Sequence, residues 1–155
     1  MAIHTLNTSL ILKTSRDEAW AFFSNPANLS KITPTELDFQ IVTPDLPARI
    51  HAGMMIEYRV RPLFGLPMTW LTEITHVRDG EYFVDEQRVG PYAIWHHEHL
   101  FEDLGGGRIR ASDRVSYRLP FQPLSELTHG ILVKPQLDQI FRFRETAIRK
   151  YFDVE

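Results

Sequence analysis

The chain has 155 residues, a formal charge of -3 and no cysteine, with 43% hydrophobic and 24% charged residues. That balance excludes a mainly disordered chain, and the low charge excludes a strong field for nucleic acid or an anionic membrane. Without cysteine there are no disulfides, thiolate metal sites or cysteine nucleophiles. The opening MAIHTLNTSL lacks the basic start and apolar run of a signal peptide. No stretch approaches the ~20 apolar residues of a membrane span. A single cytoplasmic domain over residues 1–155 is expected, long enough to bury a core.

Ile3 to Leu12 alternate loosely and predict a first strand. Ser15 with Glu18 forms a capping box, so a short helix follows, with Ala19, Trp20, Phe22 and Phe23 apolar. Asn25-Pro26 stops it, and Pro26 opens a second short helix through Ile32. Six strands are then predicted at Glu36–Val42, Met54–Arg61, Thr69–Val77, Tyr82–Arg88, Ala93–Asp103 and Arg108–Leu119. Ala52-Gly53, Phe64-Gly65-Leu66-Pro67, Asp79-Gly80, Gly90-Pro91 and Gly105-Gly106-Gly107 separate them. After Pro120 the period changes. Ser125–His129 suits a helical turn or two, with Gly130 as its stop. From Pro135, the residues Leu137, Ile140, Phe141, Ala147, Ile148, Tyr151 and Phe152 recur at helical spacing. They predict a helix of about 18–20 residues, roughly 30 Å long. Hairpin connections make the sheet antiparallel. A long amphipathic helix buries its stripe most simply across the concave face of a curved sheet. The expected class is α+β, with seven strands around that helix.

Alternation sorts the strand side chains. One face collects Glu57, Arg59, Glu73, Glu86, Arg88, Glu98, Arg110 and Arg114, a wet surface of mixed sign with no basic stripe for nucleic acid. The other face carries large aromatics with Tyr58, Thr72, Asp85, Gln87, His97, His99, Asp113 and Tyr117. A solid apolar core would not select so many polar groups. They suit a cavity with convergent polar groups, a satisfied structural network, or both.

Several stretches carry a resemblance. They are Trp70-x-Thr72-x-Ile74, Phe83-Val84-Asp85-Glu86-Gln87 with Gly90-Pro91, and Trp95-x-His97-x-His99-x-Phe101. Asp113-x-Val115-x-Tyr117-x-x-Pro120 and Phe141–Arg144 complete the set. Together they resemble the SRPBCC group of START, polyketide cyclase and birch-pollen-allergen-like domains, over nearly the whole chain. The resemblance implies a helix-grip fold with a hydrophobic cavity between sheet and C-terminal helix. Members bind lipids, sterols, quinones, polyketides or plant hormones, and some are cyclases or dehydratases. It also implies a cavity mouth framed by Trp20–Ile32 and Leu124–Val133.

The candidate ligand-binding residues are therefore Tyr58, Trp70, Thr72, Asp85, Trp95, His97, His99, Phe101, Asp113 and Tyr117. The expected partner is a small hydrophobic molecule (a lipid, quinone or polyketide-like compound), with no nucleic acid and no protein partner indicated. The alternative is a cyclase or dehydratase in which His97 or His99 exchanges a proton beside Asp85 or Asp113, with Tyr117 holding an oxyanion. His97-x-His99 puts two imidazoles about 7 Å apart on one strand face, which chelates zinc or iron only if a carboxylate joins. No cofactor and no metal is assigned from the sequence.

Overall fold

The computed structural model describes residues 2–62, 65–121 and 123–155. Phe64, part of one expected turn, lies outside them. Eight strands form one antiparallel sheet in the order β2-β3-β4-β5-β6-β7-β1-β8. They are β1 (His4–Lys13), β2 (Gln40–Ile41), β3 (Met54–Val60), β4 (Met68–Arg78), β5 (Tyr82–Val89), β6 (Ile94–Asp103), β7 (Arg108–Arg118) and β8 (Asp153–Val154). The C-terminal helix, Lys134–Ile148, packs on the inner face of this sheet through Leu137, Phe141, Ala147 and Ile148.

The first helix, α1 (Arg16–Phe23), starts as the sequence indicates. Ser15 Oγ accepts from Glu18 N, and Ser15 N donates to the Glu18 carboxylate at 3.2 Å. Asn25 caps the next element, a 3-10 helix over Pro26–Ile32. The glycine triplet between β6 and β7 has φ of 77°, 64° and 72°, a left-handed run that only glycine adopts without strain. At Gly90 the demand is space. A Cβ there would lie 2.4 Å from Gln87 Oε1, whose amide bonds both backbone groups of Tyr92.

Three expectations change. The strand expected over Glu36–Val42 is only Gln40–Ile41. Thr35–Leu37 forms a 3-10 turn instead, closed by Asp38 at φ 44°. Asp tolerates that left-handed geometry, and the Asp38 carboxylate takes Gln40 Nε2 and Arg61 Nε. Gly130 does not stop a helix. Glu126–Thr128, a π-helical turn over His129–Val133 and Lys134–Ile148 run on without a break. The final helix ends at Ile148 rather than Phe152. The chain then turns back to pair Asp153 and Val154 with β1, adding an eighth strand, and Arg108 clamps Glu155 with two bonds of 2.8 Å.

The face assignment holds along most strands. Ile56, Tyr58, Thr72, Ile74, Phe83, Trp95, His97, His99, Phe101, Val115 and Tyr117 are all buried. A bulge at Thr75 shifts parity within β4, so Val77 rather than His76 packs on the core. Val84, sorted outward, is also buried. The outer face carries Arg88 on Glu73 and Glu86, Arg110 on Glu102, and His96 on Glu86. These exposed pairs suit a solvated surface and contribute little stability.

Candidate functional site

β5, β6 and β7 are neighbours, and their register sets Asp85 opposite His97 and His99 opposite Asp113. All four side chains rise from the inner face of the sheet. Their close contacts run diagonally. His99 Nε2 donates to Asp85 Oδ2 at 2.7 Å, and His97 Nε2 donates to Asp113 Oδ1 at 2.9 Å. The imidazole rings lie 3.7 Å apart. Arg144, from the C-terminal helix, donates to both oxygens of Asp113 at 3.1 and 3.3 Å, and Thr8 adds a long bond of 3.4 Å. Aromatic rings fix the imidazoles. Phe83 stacks on His99 at 4.0 Å, and Trp95 meets His97 edge-on at 6.2 Å.

The second nitrogens separate the two histidines. His99 Nδ1 lies 3.1 Å from Asp113 Oδ1, poorly aligned and with no hydrogen-bond partner. His97 Nδ1 lies farther from Asp85 Oδ2, at 3.6 Å. Carboxylates only accept, so His99, held close to one at each nitrogen, favours the doubly protonated form. His97 needs one N–H only. The charges agree, because two carboxylates face one guanidinium and a single imidazolium completes the balance.

The proton affinities follow. Burial by itself would raise Asp113, but Arg144, the hydrogen bond from His97 and the close His99 imidazole hold it well below the usual carboxylate range. Burial opposes ionisation of Asp85 as well, and the His99 hydrogen bond with the nearby cationic groups outweighs it. Burial, then the charge of His99, lowers His97. Burial would lower His99 too, but Asp113 and Asp85 raise it.

The stability of the fold should therefore depend on pH in a defined way. The carboxylates stabilise it above the ordinary aspartate value of 3.8 and lose that contribution as pH falls through their folded values. His99 contributes fully below 6.5 and loses its contribution as pH rises through its raised folded value. His97 has the opposite sign: below 6.5 the unfolded chain takes a proton that the folded chain resists. Together the histidines place a maximum near pH 6.5, with limbs no steeper than about 1.4 kcal/mol per pH unit per proton. In urea unfolding between about pH 5 and 8, His99→Gln should flatten the alkaline limb and His97→Gln the acid limb. Loss of the same limb in both variants would contradict the assignment.

This network closes one end of a cavity of about 200 Å³. Tyr58, Trp70, Thr72, Asp85, Trp95, His97 and His99 line it, together with Phe23, Leu29 and Ile32 from the first helices and Leu137, Ile140, Phe141 and Arg144 from the last. The other candidates lie elsewhere. Phe101 and Asp113 border a smaller void of about 20 Å³ behind His99. Tyr117 borders neither cavity, and its hydroxyl contacts His129 Nε2 at 2.8 Å. Of the segments expected at the mouth, the Pro26–Ile32 helix supplies wall residues. Leu124–Val133 supplies none among the described residues, and its Leu124, Leu127 and Ile131 are exposed.

Arg144 is the member of the site that the strand pattern could not supply. Its signal lay in the helix, because Leu137, Phe141, Arg144 and Ile148 fall on one stripe. A charge on the buried stripe of an amphipathic helix calls for a buried partner.

Curved sheet, gripping helix and intervening cavity make up a helix-grip fold. Solved structures carry the same fold. They include a START superfamily protein from Mycobacterium smegmatis, with a TM-score of 0.67 at 9% identity, covering 96% of each chain. A norcoclaurine synthase point mutant from Thalictrum flavum gives 0.65 at 10% identity, covering 97% of each chain. The protein TTHA0849 from Thermus thermophilus gives 0.64 at 13% identity, covering 96% of this chain and 99% of that one. No family model and no curated protein matches the sequence. Among the described residues no helix is long and apolar enough to cross a membrane.

Proposed function

We propose that the protein binds a small, largely apolar molecule, reversibly, in the cavity between sheet and C-terminal helix. One observation carries this reading. The cavity of about 200 Å³ has mainly aromatic and aliphatic walls and one charged cluster, Asp85, His97, His99 and Arg144, with the uncharged polar side chains of Asn25, Asn28, Thr33 and Gln136 elsewhere in its lining. An apolar cavity of about 150 Å³ already accepts benzene, so this one suits a molecule of one or two rings bearing a polar group. Trp70, Trp95 and Tyr58 supply contact area, and the histidines orient the polar group. The likeness to START and norcoclaurine synthase structures supports the fold that holds such a cavity. We assign this role to a single unit spanning residues 1–155, and the cysteine-free composition supports a cytoplasmic setting.

Titration with 2-naphthol, read by quenching of Trp70 and Trp95, tests the reading. Saturable binding is expected, and Ile140→Trp, which fills the cavity from the helix side, should abolish it with the fold retained. Equal binding by the filled variant would sink the proposal.

A second reading is an enzyme of the cyclase or dehydratase type. The observation favouring it is a neutral His97 and a protonated His99 side by side at the cavity end, one poised to take a proton and the other to give one. For that reading, His97→Gln must remove turnover while 2-naphthol binding persists.

A further inference from the structure

The buried cluster has a second property that ligand binding does not use. Asp85 Oδ2 lies 2.7 Å from His99 Nε2 and 3.6 Å from His97 Nδ1, so three donor atoms of suitable type converge on one point. All the donor atoms of this trio lie within 4.8 Å of one another. A metal about 2.1 Å from each donor needs neighbouring donors roughly 3–3.5 Å apart, so small rotations suffice. The remaining nitrogens both lie close to one atom, and only that of His97 is aligned for a hydrogen bond to it. His97 Nε2 and His99 Nδ1 lie 2.9 and 3.1 Å from Asp113 Oδ1. Asp113 is in turn gripped by Arg144 and Thr8. A metal-ligating imidazole ordinarily gives its other N–H to such an anchored carboxylate, which fixes the ring and strengthens it as a ligand. The Nδ1 of His99 is buried and otherwise without a partner.

From this geometry we infer that Asp85, His97 and His99 form a binding site for one divalent first-row transition ion, zinc or iron(II), with Asp113 and Arg144 as its outer support. An ion bound to His99 Nε2 takes the place of the proton there, and with both imidazoles neutral Arg144 balances only one of the two carboxylates, so a cation is still favoured. Two imidazoles and one carboxylate leave positions free on the ion. The trio lines the main cavity, so those positions open towards its apolar space, and the ion has a route in. The inference does not depend on the identity of any organic ligand.

The test is cobalt(II) titration of the purified, chelator-treated full chain with no organic ligand added. Expected are visible d–d bands that saturate at one ion per chain, a rise in melting temperature, and two hyperfine-shifted imidazole N–H signals. Asp85→Asn should abolish the bands, and Asp113→Asn should weaken binding by about 10–100-fold. A second group, His4, Glu126 and His129, also brings donor atoms together at the start of β1. His4→Gln should therefore leave the bands unchanged. Absence of bands and of any melting shift in the unmodified protein would overturn the inference, whether or not the variants fold. Loss of the bands in His4→Gln, or their survival in Asp85→Asn, would overturn it too. Because 2-naphthol binding is measured separately, failure here leaves the cavity reading standing.

Discussion

Replacing Arg144 with methionine is expected to destabilise the protein by about 3–5 kcal/mol at neutral pH. The guanidinium is nearly enclosed and holds both oxygens of Asp113, bridging helix and sheet. Methionine fills much the same space but strands a buried carboxylate. The loss should shrink on acidification, because Asp113, no longer held low, can protonate and become neutral. Asp113→Asn alone should cost less, about 1–3 kcal/mol, because the Asn oxygen still accepts from the guanidinium and the Asp85 carboxylate nearby offsets part of its charge. The double variant should be more stable than Arg144→Met alone. Urea unfolding of all four proteins at pH 7 and pH 5 gives the coupling directly. Additive losses, with no rescue in the double variant, would mean that the ion pair is not what Arg144 contributes.

Trp95→Ala is expected to cost about 3–5 kcal/mol as well, by a different route. Trp95 packs edge-on to Trp70 at 5.2 Å and against Tyr92 at 4.8 Å, and it also flanks His97 and Tyr117. Its removal leaves a void that rigid neighbours on two strands cannot close, and that void joins the cavity. Ligand preference should shift with it: 2-naphthol should bind more weakly, and a three-ring phenol should bind better than it does to the unaltered protein. Unchanged preference, with the expected loss of stability, would place Trp95 in the core but outside the binding surface.

The sheet was legible because its strands are long and their inner faces carry a clear alternation. Asp79-Gly80 and the glycine triplet mark hairpins that exist as expected. The region from Glu36 to Val42 misled because its polar and apolar residues alternate as a strand does, while Pro34 and the left-handed Asp38 impose a turn. Gly130 misled for a related reason. A glycine is a helix stop only where the next residues cannot carry the helix on, and here Ile131 and Leu132 continue it through a π turn. Alternation also put His97, His99, Asp85 and Asp113 on one face, but it fixes faces and not partners. The diagonal contacts depend on register between three strands, which no single strand encodes. Tyr117 shows the limit of this: it shares the face, yet lies far enough along β7 to meet His129 instead.

The cavity wall formed by Pro26–Ile32 has a kinetic consequence. A 3-10 helix has strained hydrogen bonds, and this one leans on the Asn25 cap and on Asn28 Nδ2 donating to Phe22 O. The sheet is held by its ladder of hydrogen bonds, and the helix opposite is tied to it by its buried apolar stripe and the two Arg144–Asp113 bonds. Fraying of the short wall therefore requires far less free energy than global unfolding. Residence time of a bound molecule is expected to follow that fraying, whereas equilibrium affinity follows the aromatic walls and the polar end. Changes at Asn25 or Asn28 should accordingly alter how fast a ligand exchanges more than how tightly it is held.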